Sequence, residues 1–139
     1  MFCLIAFCPL NKNLIYQNKE PFSMEKIILG LTVWITIIGE DKTRERVLAR
    51  VDTGATSSSI DIHLAQKMGL GPIVRSKLIK SASGALHRPI VKAKVKINNL
   101  VLEEEFNVAD RKHMTYPLLI GQNILKKGNF LIDPSLKVA

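Results

Sequence analysis

The stretch from Arg88 to Phe106 constrains this chain most, because one pairing of its two halves sorts the side chains by polarity. Apolar and charged residues alternate from Val91 to Ile97, the period of a strand with one buried face. Asn98-Asn99 fits a two-residue hairpin turn, since Asn tolerates positive φ. Such a turn sets the register. Ile97 then faces Leu100, Val95 faces Leu102 and Val91 faces Phe106. On the other side Lys94 meets Glu103 and Lys92 meets Glu105. The agreement predicts a hairpin, and it accounts for Lys92, Lys94 and Lys96 as a solvated strand face rather than a ligand site.

The rest of the chain follows the same grammar. Ile27 to Ile38 is β-branched and apolar, with Val33, Ile35 and Ile37 alternating with Thr32, Trp34 and Thr36, and reads as a strand. Gly39 to Lys42 is a turn, and Arg46 to Val51 resumes a strand with Val47, Ala49 and Val51 on one face. Asp52-Thr53-Gly54-Ala55 then breaks that strand. Ser57, Ser58 and Ser59 offer N-cap hydroxyls to a short helix carrying Ile60, Leu64 and Met68, closed by Gly69. A strand from Ile73 to Lys80, a small-residue tip from Ser81 to Ala85 and the long hairpin come next. Pro117 to Gly121 is a short apolar strand, Gln122 to Lys127 a helical turn, and Asn129 to Asp133 a last strand stopped by Pro134. Many short strands with one or two short helices define a mainly β, barrel-like domain.

At 139 residues there is room for one domain, and 47% hydrophobic with 23% charged residues suits a soluble, packed chain. The net charge of +8 is spread along the sequence, so no nucleic-acid partner is expected. Cys3 and Cys8 are the only cysteines. Both fall in the first ten residues, which excludes a disulfide framework for the body and fits a reducing cytoplasm. Among His63, His87 and His113 no zinc-ligand spacing occurs, and no phosphate-binding loop is present, so neither a metal nor a cofactor is expected. Residues 1–23 read as a poorly ordered extension ahead of a domain spanning 24–139, with Met24 as the expected true start. Phe2 to Leu10 is apolar but short of the ~20 residues that a membrane span needs. The rival reading of this segment is a weak membrane anchor.

Two motifs carry chemistry together. In Val47 to Ala55 an acidic residue, Asp52, ends a buried strand in a turn whose glycine lets backbone amides approach the carboxylate. Leu118-Leu119-Ile120-Gly121-Gln122-Asn123-Ile124-Leu125 follows later in the chain. Asp52-Thr53-Gly54-Ala55 resembles the Asp-Thr-Gly-Ala/Ser signature of aspartic proteases, and Leu119-Ile120-Gly121 with its short helix resembles the hydrophobic-hydrophobic-Gly motif of retropepsins. Val51 to Ser58 and Met114 to Ser135 are similar to the prokaryotic retropepsin-like branch labelled "ATP-dependent zinc protease". The resemblance covers most of residues 31–135, and its strength lies in the order and spacing of both motifs. Gln122 stands where that branch commonly has Arg, and Ser57 to Ser59 stand where viral enzymes carry acidic residues.

The resemblance implies a closed six-stranded acid-protease barrel and an aspartic-type endopeptidase with Asp52 as the catalytic residue. Thr53, Gly54 and Ala55 support the site, Leu119, Ile120 and Gly121 form its structural motif, and Ser83, Gly84 and Ala85 form a flap over an extended peptide. Because one chain holds one such signature, the second carboxylate is expected from an identical subunit. The implied partners are a second copy and a peptide or protein substrate, with no nucleic acid and no membrane. A regulatory or peptide-binding module that keeps the fold but cleaves nothing is the alternative. Taken alone, Asp52 also suits a turn or capping carboxylate. A serine nucleophile at Ser57 to Ser59 lacks a Gly-x-Ser-x-Gly context, and Asp110 and Asp133 are the other acidic residues that a single-chain pair would have to use.

Overall fold

The computed structural model describes residues 25–138. The expectations for residues 1–23, including Met24 as a start and the roles of Cys3 and Cys8, lie outside the described residues. In chain order the elements are β1 (Ile28–Leu29), β2 (Thr32–Ile38), β3 (Arg44–Val51), β4 (Ser58–Asp61), α1 (Ile62–Lys67), β5 (Arg75–Ser81), β6 (Gly84–Ile97), β7 (Leu100–Ala109), β8 (Leu118–Ile120), α2 (Gln122–Lys127) and β9 (Leu131–Ile132).

Six of these strands close on themselves. The order β2-β3-β8-β4-β7-β6 is completed by β6 pairing back to β2, and β5 hangs on the outer half of β6 as a hairpin. The long hairpin has the register that the alternation predicts: Ile97 pairs with Leu100, Val95 with Leu102, Lys94 with Glu103, Lys92 with Glu105 and Val91 with Phe106. Asn98 takes φ 51°, the left-handed conformation that the tight turn demands. Inside the barrel Ile35, Ile37, Val95, Ile97, Phe106, Leu118 and Ile120 are fully buried. Each such side chain contributes roughly 1.5–3 kcal/mol of transfer free energy, so the alternating strands alone supply a sufficient core.

Two local expectations are corrected. The strand expected over Ile27 to Ile38 is broken at Gly30, where a Cβ would lie 2.5 Å from the Leu136 carbonyl oxygen. The chain leaves the barrel there, and β1 pairs in parallel with β9 (Ile28 with Leu131, Leu29 with Ile132). Ser58 and Ser59 are not helix caps but part of the buried strand β4. The cap of α1 is Asp61, whose side chain accepts from the N–H groups of His63 and Leu64. At the other end of α1 the expectation holds, since Gly69 adopts φ 61° just past the C-cap Met68.

One feature of the topology positions the site. β8 lies between β3 and β4, parallel to the first (Ala49 to Leu118, Val51 to Ile120) and antiparallel to the second (Ser59 to Leu119, Ile60 to Leu118). The segment joining β3 to β4 must therefore cross the end of β8, which brings residues 52–57 against Gly121.

Candidate active site

Asp52 is the residue after β3, and its backbone N–H donates to the Ile120 carbonyl at 2.9 Å. The chain then turns back sharply. Ala55 N–H donates to the Asp52 carbonyl at 3.3 Å, and Gly54 N–H donates to Asp52 Oδ1 at 2.9 Å. A Cβ on Gly54 would stand 3.3 Å from that same oxygen, so glycine at this place lets the amide come in close. Among the described residues no other group donates to the Asp52 carboxylate, which is half-buried and keeps Oδ2 open.

The second motif clamps the first from below. Gln122 N–H donates to the Ala55 carbonyl at 2.8 Å, and Gln122 Nε2 donates to the Thr53 carbonyl at 2.8 Å. Glutamine, where the similar branch commonly has Arg, thus ties the motifs by a neutral hydrogen bond. Gly121 N–H donates to Ser58 Oγ at 2.9 Å. Ser58 Oγ in turn donates to Asn123 Oδ1 at 2.7 Å, and the same oxygen accepts Ser58 N–H at 3.0 Å. Asn123 Nδ2 reaches across to the Glu105 carbonyl at 2.9 Å. The loop that carries Asp52 is thereby fixed to β7, β8 and α2 through groups whose partners are nearly all accounted for.

A cleft of about 540 Å³ lies over this loop, within the usual range of ligand sites. Its floor is Asp52, Gly54, Ala55 and Leu119, and its roof is the tip of the β5–β6 hairpin from Ile79 to Ser83. The hairpin turns at Ala82-Ser83, with Ser81 paired to Gly84, and Gly84 takes φ 123°. Of the expected flap residues, Ser83 borders the cleft, while Gly84 and Ala85 open β6 and do not. Thr53 borders a different hollow, with Gln122, Phe130 and Ile132. Ile120 is buried beneath the floor. Asp110 and Asp133 take no part in the cleft. Each accepts from a backbone N–H two residues on, Lys112 and Ser135 respectively, as turn carboxylates do. His63 is exposed on α1, its Nδ1 3.5 Å from Asp61.

The sequence reading missed the polar wall of this cleft. Arg111, Arg88, Asn107 and Ser59 all border it. Arg88 donates from Nη1 to Asn107 Oδ1 at 3.1 Å. Arg111 is buried, donates from Nε to the Tyr116 carbonyl at 3.0 Å and gives its backbone N–H to Asp61 Oδ1 at 2.8 Å. Burial pushes the Arg111 guanidinium below its ordinary value, the charge of Arg88 adds to this, and Asp61 opposes both. Burial alone would raise the Asp61 carboxyl, but the N–H groups of Arg111, Leu64 and His63 outweigh it and hold the carboxyl below its usual value.

The fold is that of the retropepsins. The solution structure of simian foamy virus (mac) protease superposes with a TM-score of 0.50 at 16% identity, over 68% of this chain and 91% of that one. The EIAV protease complexed with the inhibitor HBY-793 gives a TM-score of 0.58 at 16% identity, over 84% of this chain and 100% of that one. A Legionella pneumophila protein of unknown function, Lpg0085, gives 0.61 at 22% identity, over 83% and 98%. No curated protein matches the chain. The RimB-like family model, retropepsin-like aspartic endopeptidase RimB, matches residues 63–139, more than half of the chain. The chain belongs to this family. The matched stretch contains Leu119, Ile120 and Gly121 and begins beyond Asp52. Among the described residues, no helix is long and apolar enough to cross a membrane.

Proposed function

We propose that this protein is an aspartic-type endopeptidase that works as a homodimer, with Asp52 of each subunit meeting its mate on the two-fold axis. The observation that carries this reading is the Asp52 carboxylate itself. It is held at Oδ1 by Gly54 N–H and left open at Oδ2, on the floor of a cleft roofed by a hairpin tip. Two such carboxylates about 3 Å apart cannot both ionise and so share one proton, as in aspartic proteases generally. The ionised member takes a proton from water as the water attacks the peptide carbonyl. The protonated member donates to that carbonyl oxygen. Thr53 is exposed beside the Asp52 loop, where a hydrogen bond to the partner subunit would brace the pair. An extended peptide would lie between floor and hairpin as an added strand, with the tip from Ser81 to Gly84 closing on it.

The family match begins beyond the Asp52 motif, so it leaves open a second reading in which the fold binds peptides without cutting them. Asp52→Asn separates the two. The protease reading expects loss of peptide cleavage with the dimer intact by sedimentation. A wild-type dimer inert toward peptide libraries from about pH 4 to pH 8 would leave the binding module standing, since a shared-proton dyad operates within that span.

A further inference from the structure

The expectation of no nucleic-acid partner rests on charge spread along the sequence, and the barrel gathers part of that charge on one face. Thr36 of β2 has Arg46 of β3 on one side and Lys96 of β6 on the other, and Ile38 has Arg44 and Lys94 in the same places. Neighbouring strands lie about 4.8 Å apart, so each row sets the Cα atoms of two cations roughly 10 Å from each other, and the rows follow one another at roughly 7 Å. Across the long hairpin Glu105 stands opposite Lys92 and Glu103 opposite Lys94, but Lys96 has Val101. Cross-strand carboxylates thus account for Lys92 and Lys94 and leave Lys96 to the face.

Two adjoining hollows lie on this face. One, of about 280 Å³, is a polar trough bordered by Trp34, Thr36, Arg44, Arg46, Lys96 and Asn98. The other, of about 310 Å³, is lined mainly by apolar residues, Leu29, Val33, Leu136 and Val138 among them, with Lys137 at its border. They share Trp34, Arg46 and Asn98. Among the described residues, no Asp or Glu borders either hollow, and none of Arg44, Arg46, Lys96 and Lys137 takes part in an ion pair. The Arg46 guanidinium lies over the Trp34 ring, 4.6 Å from its centroid, which holds an otherwise flexible cation in place. Neither hollow shares a residue with the cleft above Asp52 or with the hollow beside Thr53.

We propose that this face binds single-stranded nucleic acid, with phosphates in the trough on Arg44, Arg46 and Lys96 and a base in the apolar hollow against Trp34. Every unit of a phosphodiester strand joins an anion to a flat ring, and the two hollows repeat that division. Guanidinium donors suit phosphate oxygens, which take two parallel N–H groups at once. An acidic peptide offers charge to the trough but, at its Asp and Glu residues, nothing to the apolar hollow. The proposal is independent of the peptidase reading.

Full-length wild-type protein is titrated into a fluorescein-labelled oligouridylate of about 12 nucleotides, within the usual site size of such grooves, and into the oligothymidylate of the same length, with anisotropy as the readout. Binding at low salt is expected, weakening steeply as salt rises because phosphate contacts release counterions. Arg46→Gln and Lys96→Gln should each weaken binding and lower the salt slope by about one. Trp34→Ala should weaken it about fivefold or more through the lost stacking. Lys67→Gln removes the same charge from α1, where Lys67 borders neither hollow, and should bind as the wild type does. The tighter of the two strands identifies RNA or DNA as the partner. Should Arg46→Gln fail to fold, Lys96→Gln carries the test. The proposal is overturned by an absence of binding at low salt, by equal losses in Lys67→Gln and Lys96→Gln, or by a polyaspartate of equal charge that displaces the labelled strand as readily as unlabelled oligouridylate does. Each of these failures would leave the protease reading standing.

Discussion

The backbone of Gly121 passes so close to that of Ser57 that no side chain fits between them: a Cβ on Gly121 would lie 2.6 Å from the Ser57 carbonyl oxygen and 2.8 Å from that of Ala55. This contact is the physical meaning of the hydrophobic-hydrophobic-Gly motif. β8 can thread between β3 and β4 only if the chain at its end is bare. Gly121→Ala must push the Asp52 loop away or pull β8 out of register. The expected cost is about 1–3 kcal/mol, the usual penalty of overpacking, with a matching loss of any activity that depends on Asp52. Urea denaturation followed by circular dichroism checks the stability. A variant with wild-type stability would show that the loop moves freely.

Ser58 makes a second prediction. Its hydroxyl both donates to Asn123 Oδ1 and accepts Gly121 N–H, at no measurable exposure. Ser58→Ala strands the Gly121 amide inside the protein and weakens the hold on Asn123. The desolvation cost of an orphaned buried group is about 1–3 kcal/mol. Ser57→Ala loses only a 3.3 Å contact from Asn107 Nδ2 to its hydroxyl and should cost less. Equal melting temperatures for the two variants would mean that the Ser58 network carries no particular stability.

These two serines also mark where sequence reasoning stopped. The hairpin through Asn98 was legible down to single pairs, because alternation and turn chemistry are local signals. The Asp52 and Gly121 motifs were legible because the spacing of such residue types is unusual. Ser58 looked like a helix cap because its real partners, Gly121 and Asn123, are far away in the chain, and a buried hydroxyl leaves the same trace in a sequence as a capping one. Gly30 gave no warning of the break between β1 and β2, since its close neighbour, the carbonyl of Leu136, comes from the far end of the chain. The cationic wall was invisible for a related reason. Arg88 lies on β6, Ser59 on β4 and Arg111 in the turn after β7, and only closure of the barrel brings them to one cleft.

Asp61 should give the protein a pH-dependent share of its stability. Its carboxylate caps α1 and accepts the Arg111 amide, and these donors hold its folded-state value below the ordinary 3.8 despite burial. The group therefore takes up protons more readily in the unfolded chain. Its contribution is present in full above the ordinary value and is lost as pH falls through the lower, folded-state value. Asp61→Asn keeps the shape but offers one acceptor oxygen where two carboxylate oxygens take the N–H groups of His63, Leu64 and Arg111, with an expected cost of about 1–3 kcal/mol at neutral pH for the donor left unpaired. The gap in urea midpoint between wild type and variant should narrow on acidification below about pH 4, where the unfolded chain begins to protonate. A gap that stays constant down to pH 2 would mean that the charge of Asp61 plays no role.

Subunit mixing tests whether the reaction belongs to a pair. If each active site takes one Asp52 from each chain, a heterodimer of wild type and Asp52→Asn holds a single carboxylate. That carboxylate has no mate to share a proton with, so water activation and carbonyl polarisation cannot both occur. General acid–base assistance of this kind is worth roughly 10²–10⁴-fold, so heterodimers are effectively dead. Adding excess Asp52→Asn protein to a fixed amount of wild type should then lower activity well below that of the wild type alone, after time for exchange. Asp133→Asn, altered in a turn where Asp133 Oδ1 accepts from the Ser135 amide and hydroxyl, should not poison the mixture. Activity that is indifferent to added Asp52→Asn protein, with heterodimers demonstrated by native mass spectrometry, would place the second carboxylate in the same chain and end the two-subunit account.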